Sequence, residues 1–212
     1  CFLKGDVALK TDGKSYAPYY NGNRNSRKVA IMINVYEGSD VIKEMLAVLK
    51  DKGAKATFFV GGCWADDNGE LLLKILEDGH ELGSHGYFHR DHANESQNRE
   101  EMTATDNLIR RLTGYDVKLF APPSGSYSAT TLKVAESMGY KTIMWSKDTI
   151  DWRDKDTKTI INRATKDVCG GDMILMHPKK HTLEALPRIL DYYEKGGLTA
   201  VTVSECIENG AG

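Results

Sequence analysis

The chain has 212 residues and a formal net charge of -2, from 28 basic and 30 acidic side chains. This length is enough for one domain with a full hydrophobic core. Because the charges nearly balance, the sequence gives no electrostatic reason to expect a nucleic-acid partner. No apolar run reaches the roughly 20 residues that span a bilayer.

The hydrophobic pattern predicts strands alternating with helices from residue 29 onward. Residues 1–28 are polar, and we expect an irregular flank there, before a single domain at 29–212. Apolar runs predict strands at 29–33, 56–60, 81–84, 117–120, 141–145, 172–176 and 198–201. Helical periodicity predicts helices near 41–50, 70–77, 97–112, 129–138, 158–168 and 182–195. Repeated βα units predict an α/β fold with a parallel sheet, and about seven of them favour a barrel.

Polar side chains follow several of the predicted strands, at the point where each strand ends. In a βα barrel the loops at the carboxyl ends of the strands converge, so these side chains are expected to share one site. The clusters are Asn34 to Glu37, His85 with His89, Pro122 to Gly125, Asp148 with Asp151 and Trp152, and His177.

His85 and His89 are spaced so that two imidazoles can converge on one metal ion. Gly83 and Gly86 argue against a helix, so the pair is expected on a loop after a short strand. The alternative to a metal site, for an isolated pair of this spacing, is that the two histidines lie on the surface or form ordinary hydrogen bonds. His80 and His181 are predicted to lie at solvated helix ends.

Five segments together resemble the polysaccharide deacetylases of carbohydrate esterase family 4, the NodB-homology fold. The resemblance covers about 29–207 and implies a distorted, incomplete (β/α) barrel. It also implies metal-assisted hydrolysis of N-acetyl or O-acetyl groups on a glycan. The segments are Lys55-Ala56-Thr57-Phe58-Phe59-Val60, the His85–His89 pair, Phe120-Ala121-Pro122-Pro123, Trp145 to Trp152, and Ile174-Leu175-Met176-His177.

The resemblance implies roles for four polar residues. His85 and His89 match the two histidines that hold a divalent metal, usually zinc. His177 resembles the general acid that protonates the leaving amine. Asp148 resembles the carboxylate that orients and tunes that histidine.

The resemblance also implies a binding surface for the glycan. Leu175 and Trp152 look like walls of the pocket that receives the acetyl methyl group. The backbone N–H of Ser124, which follows Pro123, is the candidate donor to an oxyanion. Tyr127 is a further candidate for glycan contact.

The first and third motifs depart from the family pattern. Active members carry two aspartates after the first strand, a base and then a metal ligand, where this chain has Asn34 and Val35. An amide cannot act as a base at useful pH, and an isopropyl group cannot bind a metal. Ala121 stands where the family has an arginine. Restoring Asn34→Asp, Val35→Asp and Ala121→Arg together is predicted to recover metal affinity.

Three interpretations remain open at this point. The chain is a deacetylase of altered or reduced activity, in which Glu37 or Asp40 supplies a substitute carboxylate. Alternatively it is a non-catalytic pseudoenzyme that binds glycan in the groove where active members bind their substrate, or a structural scaffold. Two histidines alone predict weak or lost metal retention, because catalytic zinc usually has three protein ligands.

The expected partner is a cell-wall polysaccharide such as peptidoglycan or chitooligosaccharide. The first residue, Cys1, would suit a lipid-anchored exported protein, although an arbitrary chain boundary explains the same start. An exported location at the bacterial cell surface is therefore the expectation.

Overall fold

The structure is a computed structural model that describes residues 9–11, 14–90 and 94–208. Its strands are β1 (Leu9–Thr11), β2 (Lys14–Tyr16), β3 (Lys28–Val35), β4 (Thr57–Val60), β5 (Glu81–Ser84), β6 (Leu119–Phe120), β7 (Lys141–Thr142), β8 (Lys147–Asp148), β9 (Met173–Met176) and β10 (Thr199–Val201). The α-helices are α1 (Ser39–Asp51), α2 (Gly62–Asp66), α3 (Gly69–Glu77), α4 (Glu95–Thr113), α5 (Ala129–Ser137), α6 (Thr157–Thr165), α7 (Lys180–Lys195) and α8 (Val203–Ile207).

Seven of the described strands form a curled parallel sheet in the order β7-β6-β5-β4-β3-β9-β8. Strand β10 pairs in parallel with the beginning of β3, at the register Thr199↔Lys28. The helices cover the outer face of this half-barrel. The prediction of an incomplete (β/α) barrel of about seven parallel strands is confirmed, with β3 near the centre of the sheet.

Strand β3 separates two hydrophobic clusters because successive side chains point to opposite faces of a sheet. Val29, Ile31, Ile33 and Val35 belong to the larger cluster, which includes the buried faces of the helices. Ala30 and Met32 belong to a smaller cluster inside the barrel. The strand was predicted to end at residue 33, but pairing with β4 continues to Val35. This extension fixes which face each residue of the first motif occupies.

The N-terminal flank is more regular than predicted. Strands β1 and β2 form an antiparallel pair within the segment 1–28, so the expectation of an irregular flank is wrong there. Two isolated bridges, Tyr19↔Ile143 and Asn21↔Asp172, then tie the chain to the barrel. Cys1 lies outside the described residues, and the lipid anchor stays a prediction. No helix in the described part of the chain is both long and apolar enough to cross a membrane.

His80 is buried, and the expectation that it is solvated is wrong. Its side chain is 6% exposed, and its Nδ1 accepts the backbone N–H of Ala56 at 3.2 Å. An Nδ1 that accepts leaves the proton on Nε2. Burial lowers the pKa of His80 to about 4, and the nearby ammonium of Lys55 adds to this effect.

We therefore expect the free energy of unfolding to fall as the pH drops from about 6.5 towards 4. In this window the unfolded chain binds a proton at residue 80 that the folded protein excludes. The slope from one such group is at most about 1.4 kcal/mol per pH unit. Urea unfolding at several pH values measures it. His80→Asn keeps an acceptor for Ala56 but does not titrate, so a variant with an unchanged slope would contradict the assignment.

Candidate active site

A groove of ≈ 720 Å³ lies at the carboxyl ends of the parallel strands. It brings together residues from every polar cluster that the sequence singled out, as expected from strands that end at one edge. Its lining residues are Asn34, Tyr36, Glu37, His85, His89, Ser124, Gly125, Trp145, Asp148, Trp152, Leu175, His177, Pro178 and Lys179.

His85 follows β5 and is held rigidly in the floor of the groove. The residue is 2% exposed, and its backbone N–H donates to the carbonyl of Val60, which extends the sheet by one residue. Its Nδ1 lies 2.7 Å from the carbonyl oxygen of Ala121. A carbonyl can only accept, so the neutral ring carries its proton on Nδ1 and its lone pair on Nε2.

His89 is presented by a loop that helix α4 anchors. The carboxylate of Glu101 accepts the backbone N–H groups of Tyr87 and Phe88, at 2.6 and 2.9 Å. His89 itself is exposed and has a φ of 54°, in the left-handed region that non-glycine residues seldom adopt. The rings of His85 and His89 come within 5.4 Å, centroid to centroid.

Tyr36 lies within the predicted cluster 34–37, but no pattern in the sequence gave it a role of its own. Its ring lies against both histidines, with centroids 5.4 Å from His85 and 4.8 Å from His89. Its hydroxyl donates to the carbonyl of His85 at 2.5 Å and accepts the N–H of His89 at 3.0 Å. A side chain on Gly61 would collide with this ring, at 2.0 Å. Glycine at 61 thus makes room for Tyr36, although no pattern in the sequence marks that contact.

The described residues of the groove do not form a three-ligand metal site. Val35 is fully buried on the helix-facing side of β3 and does not line the groove. Burial raises the pKa of the Tyr36 phenol well above its ordinary value, so its oxygen stays protonated. Among the residues that the structure describes, no three His, Cys, Asp or Glu side chains are placed to hold a metal ion. The metal role of His85 and His89 stays a prediction.

The two proposed substitutes for the missing carboxylate are placed differently. Glu37 lines the groove, where its carboxylate forms an ion pair with the ammonium of Lys179. Asp40 lies in α1 and pairs with Lys43, and its side chain is 94% exposed to solvent. Of the two, only Glu37 lies at the groove.

His177 is oriented by Asp151, and the prediction that Asp148 orients it is wrong. The Asp151 carboxylate accepts from Nδ1 and from the backbone N–H of His177, each at 2.7 Å, and from the Thr182 hydroxyl at 2.6 Å. Burial raises the pKa of Asp151, but these hydrogen bonds outweigh it, so the pKa lies below its usual value. Asp151 is therefore an anion that holds the Nδ1 proton of His177 in place.

Asp148 has a different function in the same turn. Its carboxylate accepts the backbone N–H of Ile150 at 2.8 Å. Ile150 has a φ of 54°, a strained conformation for a β-branched residue. The turn that Asp148 closes carries Asp151 to His177. Both aspartates lay in the motif, and only the path of the turn decides between them.

The predicted glycan contacts divide into two groups. Trp152, Leu175 and Ser124 line the groove, and Trp152 is 57% exposed. Pro123 is buried in a short 3-10 helix and does not line it. Tyr127 does not line it either, and its hydroxyl lies 2.7 Å from the hydroxyl of Tyr20.

Trp145 also lines the groove, although no role in the site was predicted for it. A side chain on Gly125 would meet its ring at 2.6 Å, so glycine at 125 is needed for this aromatic wall. The φ of 66° at Gly125 also favours glycine.

The half-barrel carries a histidine–aspartate pair and aromatic walls at the carboxyl ends of its strands. Comparison with known proteins gives the family: residues 21–143 match the polysaccharide deacetylase family. The chain belongs to this family.

Three similar proteins illustrate the range of the family. The chain is 36% identical over 193 residues to the uncharacterized protein YlxY of Bacillus subtilis, covering 90% of this chain and 60% of YlxY. It is 30% identical over 197 residues to a peptidoglycan-N-acetylglucosamine deacetylase of Bacillus cereus, covering 90% of this chain and 72% of that enzyme. The crystal structure of BA3943, a carbohydrate esterase family 4 pseudoenzyme from Bacillus anthracis, superposes with a TM-score of 0.88 at 32% identity, covering 93% and 71% of the two chains.

Proposed function

We propose that this chain binds an acetylated cell-wall polysaccharide of the peptidoglycan type, and that metal-assisted deacetylation is lost or strongly reduced. The observation that carries the proposal is the packing of Tyr36 against His85 and His89, with Val35 turned into the core. A water molecule can be activated for attack only if a base accepts its proton or a metal ion lowers its pKa. Asn34 supplies no base, and the third metal ligand is replaced.

Glycan binding is supported by groups that remain in the groove. Trp152 is exposed and Trp145 forms a wall, and sugar rings stack on such aromatic faces through their C–H groups. Two tryptophans that line the same groove, one of them exposed, favour a binding surface over a scaffold, because apolar surface that is grouped in a groove marks ligand sites. We rank the scaffold interpretation last.

Residual hydrolysis is the second candidate, and the His177–Asp151 pair favours it. The geometry suits a general acid, because the buried carboxylate of Asp151 fixes Nδ1 of His177 and leaves the other ring nitrogen to carry the proton that is transferred. His177 can donate a proton to a leaving amine only after attack has occurred. If any metal is held at His85 and His89, we propose that it is zinc, weakly bound. An exported, cell-surface location follows from the proposed substrate, and the lipid anchor at Cys1 remains a separate proposal.

The test compares binding with hydrolysis on the same purified protein. We expect saturable binding of N-acetylated chitooligosaccharide or peptidoglycan fragments by calorimetry, with no acetate release above background in the presence of zinc. Trp152→Ala is expected to weaken binding about tenfold, since stacking on one aromatic side chain contributes roughly 1–3 kcal/mol. Tyr192→Ala is the matched control, because Tyr192 is 51% exposed but lies outside the groove. Stoichiometric acetate release would support the enzyme, and no binding at all would refute the proposal.

A further inference from the structure

The segment 19–23, which we call the strap, joins the two ends of the curled sheet. Strand β7 is at one end of the sheet, and β8, which pairs with β9, is at the other. Tyr19 is bridged in parallel to Ile143, which follows β7, and Asn21 is bridged to Asp172, which precedes β9. The strap therefore spans the open side of the half-barrel.

The backbone of the strap holds the chain immediately before Trp145. The N–H of Tyr19 donates to the carbonyl of Thr142 at 2.8 Å, and the carbonyl of Tyr19 accepts the N–H of Met144 at 2.7 Å. These hydrogen bonds are of the kind that joins strands in a sheet. Trp145 is the next residue and lines the groove. A wall of the groove is thus placed by a segment that lies outside residues 29–212.

The side chain of Tyr20 holds the turn on the other side of the same wall. Its hydroxyl lies 2.7 Å from the hydroxyl of Tyr127, a hydrogen-bond distance. Tyr127 follows the short 3-10 helix Pro123–Gly125, whose residues Ser124 and Gly125 line the groove. Ser124 has a φ of 54°, and such a strained conformation persists only where the surrounding contacts fix it. The Tyr20–Tyr127 pair is one of these contacts.

The two parts that the strap holds meet at Gly125 and Trp145. A Cβ on Gly125 would lie 2.6 Å from the Trp145 ring, so the turn and the ring are in close contact. Any shift of the turn therefore changes the surroundings of the ring. Tyr19 fixes the backbone that leads into Trp145, and Tyr20 tethers the turn on which its ring packs.

We propose that Tyr20 is a positioning residue for glycan binding, which holds the Trp145 wall of the groove through the turn at 124–127. The inference rests on the proposed function and names a residue that acts on the ligand through others, since Tyr20 does not itself line the groove. Tyr20 also precedes the segment 21–143 that matches the family. Without its hydroxyl the turn is less constrained, and ordering the wall when the glycan binds lowers the affinity.

Removal of single hydroxyl groups tests this role, with binding of N-acetylated chitotetraose measured by calorimetry. We expect Tyr20→Phe to raise the dissociation constant about fivefold, the usual effect of losing one hydrogen bond. Tyr127→Phe should weaken binding at least as much, and the double variant no further, because both changes remove the same interaction. Tyr192→Phe is the matched control and should bind like the wild type, because Tyr192 lies outside the groove. Unchanged affinity in Tyr20→Phe, or additive losses in the double variant, would overturn the inference.

Fluorine NMR of protein labelled with 5-fluorotryptophan gives a readout that general destabilisation would not move. In Tyr20→Phe the Trp145 resonance should shift or broaden, while that of Trp64, buried and bonded to Ser39, should stay in place. Weaker binding with an unchanged Trp145 resonance would overturn the inference. If the wild-type protein binds no glycan, the proposed function is refuted, and the Trp145 resonance still decides whether Tyr20 positions the wall. Tyr127→Phe supplies the same readout if Tyr20→Phe does not fold.

Discussion

Replacing Asp151 with asparagine is expected to lower the free energy of unfolding by about 3 kcal/mol, since it disrupts a buried, hydrogen-bonded charge. The wild-type carboxylate accepts two hydrogen bonds from His177 and one from Thr182. An amide offers one acceptor and turns its NH₂ group towards a donor. Urea unfolding measures the loss.

The matched control is Asp148→Asn in the same turn. Asp148 is only partly buried and accepts one backbone N–H, from Ile150, so we expect a loss of about 1 kcal/mol or less. Nitrogen NMR of His177 adds a readout that general destabilisation would not change. The wild-type ring should carry its proton on Nδ1, and only Asp151→Asn should disturb that tautomer. A larger effect from Asp148→Asn on either measurement would contradict the pairing seen in the structure.

The effect of Asp151 should also depend on pH in a defined direction. Because its pKa is lowered in the folded protein, its contribution to stability is present above its unfolded pKa of about 3.9. The contribution disappears as the pH falls through the folded pKa. The difference in stability between the wild type and Asp151→Asn should therefore shrink in acid.

Val35→Asp is expected to destabilise the protein by about 3–5 kcal/mol, from the lost burial of valine and the burial of an unpaired carboxyl group. Val35 is fully buried on the helix-facing side of β3, so the new carboxyl group would lie in the core. Thermal and urea unfolding measure the loss. Val35→Thr, of nearly the same shape, is the control and should lose much less.

A second measurement on the same variant tests whether it binds zinc. We expect no rise in melting temperature when zinc is added to Val35→Asp, because position 35 faces away from His85 and His89. Adding Asn34→Asp and Ala121→Arg to this variant would leave Tyr36 against the two histidines and would place a large cation at the fully buried position 121. On this structure we therefore no longer expect the three substitutions together to recover metal affinity. A folded Val35→Asp protein that retains one equivalent of zinc would contradict this and would mean that the end of β3 rearranges.

Much of the fold is predictable because it follows from local patterns. The apolar runs and the 3.6-residue periodicities reproduce most strands and helices within a few residues, and Gly114 ends α4 in the left-handed conformation. The short elements, β1, β2, β8, α2 and α8, were not predicted. Two to five residues carry too little periodicity to reveal a strand or a helix, so pairing with the rest of the barrel determines them.

The candidate site shows the same difference between what local patterns predict and what only the tertiary structure decides. The polar clusters at strand ends predicted one groove, and the resemblance predicted His85, His89, His177, Trp152 and Leu175 at sites in it. The choice of Asp148 over Asp151 was wrong, because three residues of a strained turn decide which carboxylate reaches His177.

By itself, the sequence determined that this chain is a polysaccharide deacetylase family barrel whose first motif lacks both aspartates. Only the tertiary structure decided what replaced them. Continued pairing of β3 with β4 turns Val35 into the core and leaves Asn34 and Tyr36 on the groove side. Successive side chains of a strand point to opposite faces, so the extension of β3 by two residues, from 33 to 35, decides that Asn34 faces the groove and Val35 the core. That boundary depends on contacts with neighbouring strands, which the local sequence does not contain.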